Sequence, residues 1–172
     1  MNDIQPSDLT MTTSEWRLAL AQLCQASALA ESGEEDVLLR QGHALLASLP
    51  DQRSTLADHL PPMARFEALL VAGAYDSAAL SLMPEAGSYM LSRGGEGGAM
   101  ASVLLPGMEE EMTSEAESPA LALMSALAAA LASAGLAVGD LGGWTPVGAS
   151  TRCGERSGEV EEWQRPLGSV LH

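Results

Sequence analysis

Three histidines, two cysteines and a run of glutamates are the residues of this 172-residue chain that would first suggest catalysis or metal binding. His43, His59 and His172 stand far apart, and none is spaced with Cys24 or Cys153 as zinc ligands are, in short paired intervals. The two cysteines form no metal motif and no evident disulfide pair. They read as reduced thiols of a cytoplasmic protein. Cys24 falls in a helical stretch with no histidine placed to take its proton, so it is not read as a nucleophile. Gly87-Ser88-Tyr89 lacks the full Gly-x-Ser-x-Gly pattern of a nucleophile elbow. Glu109-Glu110-Glu111, with Glu115 and Glu117, offers oxygen ligands, but without the regular spacing and turn glycine of a calcium loop. A run of this kind does not define the carboxylate pair of a glycosidase either, and it reads as solvated charge ahead of a helix. Gly94-Gly-Glu-Gly-Gly98 is no phosphate loop, because no Lys-Ser/Thr follows it and Glu96 would repel phosphate. No catalytic, cofactor-binding or metal-binding residue is assigned, no cofactor is expected, and the chain is not expected to be an enzyme.

Charge narrows the partners. The chain contains no lysine, and its 8 basic residues, all arginine, face 23 acidic ones, for a net charge of −15. Such a field repels nucleic-acid phosphates and anionic membrane surfaces. From Ser77 to Ser133 the only base is Arg93, against seven glutamates. The double-stranded-RNA modules that share an α-β-β-β-α order hold phosphates with lysines at the start of the closing helix, where this chain has Ser118-Pro119 after glutamates. Direct nucleic-acid binding is not expected. Asp3 and the absence of an early apolar run argue against a signal peptide.

The elements that would position any site are organised around Ser118–Ala134. Ser118 is placed as N-cap and Pro119 at the first helical position, after Glu115 and Glu117, which suit the positive end of a helix. The body is nearly all Ala and Leu. Ala120, Met124, Leu127 and Leu131 make an apolar stripe, widened by Leu121, Leu123 and Ala128, and Gly135 ends the helix. The uncharged stretch from Ser118 to Val138 is long enough for a membrane span, but Ala is only weakly apolar and no arginine flanks it closely, so a core helix is expected and no membrane association.

Earlier in the chain, the capping box Thr12-x-x-Glu15 opens a helix with Trp16, Leu20, Leu23 and Ala30 inward, running to about Ser32 before Gly33. A second helix spans about Glu34–Leu49, with Leu38, Gly42, Leu45 and Leu49 as its stripe and Pro50 as its stop. Residues 51–61 have room for one further helical turn. Pro62 is placed at the first position of the next helix, which buries Met63, Phe66, Leu69 and Leu70. Asp76 or Ser77 caps a short segment through Met83. Two strand-like runs, Gly87–Arg93 and Ala99–Leu105, flank the glycine loop as a hairpin, and Glu110–Ala116 reads as a third strand turning Met112 with Ser114 or Ala116 toward the closing helix. Residues 136–172 show neither period and read as disordered. The boundaries are then a flexible 1–11, a helical hairpin extension 12–60, an α+β core domain 61–135 and a tail 136–172.

The phrases Met63-Ala-Arg-Phe-Glu-Ala-Leu, Ser77-Ala-Ala-Leu, Pro84-Glu85, Tyr89-Met-Leu-Ser-Arg93, Ala101-Ser-Val and Ser118-Pro-Ala-Leu-Ala-Leu123 together resemble small α/β proteins of bacterial and prophage genomes, over about residues 63–132. The resemblance implies a helix, two or three short strands and a closing helix, and no activity. The expected fold class is thus α+β: a two- or three-stranded antiparallel sheet packed on helices, preceded by a helical hairpin. The expected function is a non-catalytic accessory or protein-interaction role, encoded by a phage or mobile element, with a protein partner or homo-oligomer. The alternative is an acidic nucleic-acid mimic that occupies a DNA-binding protein.

Overall fold

Local signals set most of the element ends. Thr12 accepts from Glu15 N at 3.3 Å while Glu15 accepts from Thr12 N at 2.8 Å, so the capping box closes and opens α1, Thr13–Leu29. Those bonds hold the Glu15 carboxyl below its ordinary range, first through the Thr12 backbone N–H and then through its hydroxyl. α1 stops at Leu29, short of the expected Ser32, because Ala30 is already extended. The computed structural model describes residues 11–48, 59–95 and 97–134, so the segments 1–10 and 135–172 and most of 51–61 lie outside the described residues.

The turn after α1 is held by carboxylates. Glu34 accepts from Glu31 N at 3.0 Å, Glu117 from Ser32 N at 2.7 Å and Glu35 from Gly33 N at 2.6 Å. Three successive backbone donors are thereby satisfied at the start of α2, Glu35–Ala47, where negative charge also suits the helix dipole. α2 buries Leu38, Leu39, Gly42, His43 and Leu46, a stripe rotated from the expected one, with Leu45 only half-buried. Its Gly42 lets it lie against the closing helix: a Cβ there would stand 2.5 Å from Met124 Sδ.

Pro62 is the N-cap of α3, Met63–Val71, one position earlier than expected. Phe66 and Leu70 are buried, but Met63 is 47% exposed rather than in the core. Gly73, at φ +67°, ends α3 with paired bonds from Gly73 N to Leu70 O and from Ala74 N to Leu69 O. That terminator delivers the chain directly into α4, Tyr75–Ser81, so Ala74 precedes it and neither Asp76 nor Ser77 caps it.

Three strands follow: β1, Ser88–Arg93; β2, Ala99–Leu104; and β3, Met112–Ala116. They form one antiparallel sheet in the order β1-β2-β3. The register puts Tyr89, Val103 and Met112 in one row, then Leu91, Ala101 and Ser114, then Arg93, Ala99 and Ala116. These rows face inward over β2 and β3, so the expected third strand forms and turns its expected side chains to the core. The closing helix α5, Pro119–Ser133, begins as read, with Ser118 accepting from Leu121 N at 3.4 Å and Pro119 in the first turn.

One feature of α5 departs from its reading as a cover for a sheet. Every residue from Pro119 to Leu131 except Ala129 is buried, so α5 has no single apolar stripe. The sheet packs on one side, and α1, α2 and α4 pack on the other. The apolar residues of the hairpin, of α3 and α4, of the sheet and of α5 form one core cluster. Trp16 and Phe66 are its only buried aromatics among the described residues, and Trp16 donates its indole N–H to Leu45 O at 2.8 Å, tying α1 to the end of α2. Among the described residues no helix is long and apolar enough to cross a membrane.

Candidate interaction surface

Cys24 and His43, two of the residues that the sequence brought forward for chemistry, stand in structural contacts, while Cys153 and His172 lie outside the described residues. Cys24 is half-buried on α1, where Ser125 Oγ donates to its carbonyl at 2.9 Å and lies 3.5 Å from its Sγ. Ser114 Oγ stands 2.6 Å from the same hydroxyl. Ser125 is fully buried, and this line of groups joins α1, α5 and β3 through its one polar side chain. His43 is also buried. Its Nε2 lies 3.0 Å from Pro61 O and its ring stands 4.7 Å from that of Phe66, while Nδ1 has no partner among the described residues. As Pro61 O only accepts, Nε2 is the donor in this contact. His59 lies 3.8 Å from Glu85 and is not near His43 in any metal-sized cluster: among the described residues no group of three His, Cys, Asp or Glu side chains is placed to hold an ion.

Several carboxylates are engaged as well. Besides those of the α1–α2 turn, Glu67 of α3 receives Arg40 Nε at 2.8 Å and Nη2 at 3.0 Å, a two-pronged contact, while Arg40 Nη1 donates to Asp36 at 2.6 Å. The Arg40 guanidinium holds the Glu67 carboxyl below its ordinary range, and Glu67, more than Asp36, raises that of Arg40. Sequence inspection missed this clamp of α2 to α3. The spacing of Asp36 and Arg40 is a helix-pair signal, but Glu67 joins them only through tertiary packing.

What the fold leaves open is the sheet. α5 lies over β2 and β3 and barely reaches β1. β1 pairs with β2 alone, and of its six residues only Leu91 is partly covered. Tyr89 is 50% and Met90 58% exposed. The outer face carries Met90 beside Ser102 and Thr113, then Ser92 beside Met100 and Glu115, with Glu115 its only charge within the strands. Ser102 and Thr113 satisfy each other at 2.8 Å across that face. In a chain of net charge −15, this is a weakly charged platform edged by a strand without proline, lysine or acidic side chain. The opposite edge differs, because α1 packs against β3.

At the Arg93 end of the sheet, the last turn of α1 and the strand ends enclose an open cleft of about 650 Å³. Its apolar wall includes Leu29 and Met100, and its rim carries Glu31, Glu115, Glu117 and one cation, Arg93. The glycine loop forms the hairpin tip beside it, closed by Gly94 N donating to Gly98 O at 2.7 Å. Compared with protein-family models, curated proteins and solved structures, the chain matches none.

Proposed function

We propose that the protein is a non-catalytic interaction protein of the cytoplasm that receives a partner protein on its sheet. The observation that carries this reading is the exposed strand β1 with its neighbouring methionine face: Met90 and Met100 are large apolar side chains left in solvent on the outer face, Tyr89 is half-exposed on the other face of the same edge strand, and all stand next to unpaired backbone donors and acceptors. Methionine suits such a surface because its flexible, polarisable side chain adapts to a partner. The potential nucleophile Cys24 and the buried His43 support it from the other direction, since the thiol sits 3.5 Å from the Ser125 hydroxyl and His43 Nε2 3.0 Å from Pro61 O, each in its own contact and not paired with the other.

The mimic reading calls for free carboxylates set along one face at phosphate-like intervals. Glu15, Glu34, Glu35, Asp36, Glu67 and Glu117 are instead spent on helix starts, a turn and an arginine clamp, on several elements. Direct binding of duplex RNA or DNA is not part of the proposal either, on charge.

The test is affinity capture with the tagged full-length chain and with Met90→Lys, a substitution that places charge on the exposed edge. A partner retained stoichiometrically by the wild type and lost by Met90→Lys, at unchanged melting temperature, is the expected result. A partner retained equally by both would overturn the assignment to the sheet.

A further inference from the structure

The cleft at the Arg93 end of the sheet has a composition that states what fits it. This inference rests on the interaction reading above and names the partner's chemistry. Leu29 is 76% and Met100 38% exposed, and both line the cleft, so its wall carries apolar surface that the described residues leave open. Leu29 is the last residue of α1, turned outward where the chain leaves the helix. Ala28, Ala30, Ala99 and Ala116, with their short side chains, also line it. The rim is acidic: Glu31 and Glu115 are exposed and paired with no cation among the described residues, while Glu117 is fixed by its bond to Ser32 N. Arg93 alone opposes them, leaving the rim net negative within a chain of the same sign.

An apolar wall under a negative rim selects a side chain or short segment that is apolar in its stem and positive at its tip. Lysine and arginine next to leucine-like residues have that form, because their methylene stems cover apolar surface while the charged head stays at the rim. The geometry points to a partner segment that sets a basic residue beside an apolar one into this cleft, at the end of the surface formed by β1 and the outer sheet face. Ser92 and Met100 belong to both surfaces, so one segment laid along the sheet reaches the cleft without a break. The chain's overall negative field would also steer such a segment toward it.

The experiment is an NMR titration of the ¹⁵N-labelled full-length chain with three synthetic peptides. One alternates Lys and Leu, one replaces each Lys by Glu, and one replaces each Leu by Ser. The Lys–Leu peptide is expected to bind saturably and to move the amides of Ala30, Arg93, Met100 and Glu117, with the Glu–Leu peptide inert and the Lys–Ser peptide much weaker. The double variant Glu31→Gln/Glu115→Gln and the variant Leu29→Ser should each weaken binding by about tenfold, the scale of one good interface anchor. Arg93→Gln should strengthen it by about threefold, as loss of an exposed like charge does. Diffuse shifts of equal size from the Lys–Ser peptide, erased by salt, would reduce the effect to surface adhesion and overturn the inference. Weaker binding in Arg93→Gln would overturn it too. Shifts confined to Ser88–Leu91 would remove the cleft while leaving the strand-edge reading standing. A captured partner that both Met90→Lys and the cleft variants retain would remove both.

Discussion

α5 and β1 lie in the same small domain and meet the solvent in opposite ways. α5 is covered from Pro119 to Leu131 at all positions but Ala129, although alanine, the smallest apolar residue, is its commonest. β1 carries Tyr89, Met90 and Leu91, much larger apolar groups, and leaves most of them uncovered. Size is therefore not what decides burial here. Alanine on α5 lets a sheet and three helices approach one helix closely, so many short contacts add up. The bulk on β1 has no such neighbour, because α5 stops short of Tyr89 and Leu91 on the inner face and Met90 lies on the outer face, away from α5. One element is where the fold's free energy is concentrated, and the other is where the fold has surface to offer.

Breaking α5 should have the largest effect. Leu127 is 1% exposed, and Leu127→Ala is expected to cost about 2–5 kcal/mol through lost transfer energy and the residual cavity. Chemical denaturation measures this directly, and a midpoint unchanged from wild type would contradict the central position of the helix. Ala129→Glu, at the one half-buried site between Pro119 and Leu131, should cost distinctly less than Leu127→Ala in the same experiment.

Ser125→Ala comes next. It leaves the Ser114 hydroxyl without its partner and removes the bond to the Cys24 carbonyl, for an expected loss of about 1–2 kcal/mol. Ser125→Cys, close in size, should recover part of it, whereas equal losses would show that packing rather than bonding is at stake.

A smaller effect is expected on acidification. Glu15 and Glu67 both have carboxyl groups held below the ordinary value of 4.5, so the folded state favours their charged form. Their contribution is present above that value and disappears as the pH falls through their lowered folded-state values. Fading of general repulsion among the acidic groups acts in the opposite sense over the same range. The test is therefore a difference: the melting temperature of Glu67→Gln relative to wild type should show a deficit near neutrality that narrows below pH 4.5. A deficit that stays constant with pH would remove the Arg40 contact as its cause. The smallest effect belongs to β1: Met90→Lys, at a 58% exposed position, should leave stability within about 0.5 kcal/mol of wild type while abolishing partner capture.

How legible these regions were in the sequence follows from the range of the interactions that fix them. The Thr12 box, the Ser118-Pro119 start and the hairpin around the glycine loop depend on neighbours in sequence, and all three stand where they were read. The start of α4 was misread because no side chain caps it; Gly73 and the backbone bonds after α3 set it instead. The stripe read on α5 assumed a helix with one wet side. From Ala120 to Leu131 only Ser125 is polar, so nothing in that segment marks a solvent face, and its burial on both sides depends on a hairpin far upstream. The cleft had no sequence signature at all, since Leu29 and Met100 come together only when the end of α1 meets the end of the sheet.

The pairing of α1 with α5 also bears on how the chain comes to be folded during synthesis. Cys24 and Ser125, bonded in the finished molecule, are 101 residues apart. At a translation rate of about 5–20 residues per second, α1 emerges on the order of 5–20 seconds before the helix that completes its burial. Throughout that interval Trp16, Leu20 and Leu23 have no α5 to pack against, and the contacts that remain to be made are among the most distant in the chain, which are slow to form. Nascent chains halted before Ser118 should therefore be protease-sensitive and dependent on chaperones, and protection should appear abruptly once α5 has cleared the ribosome.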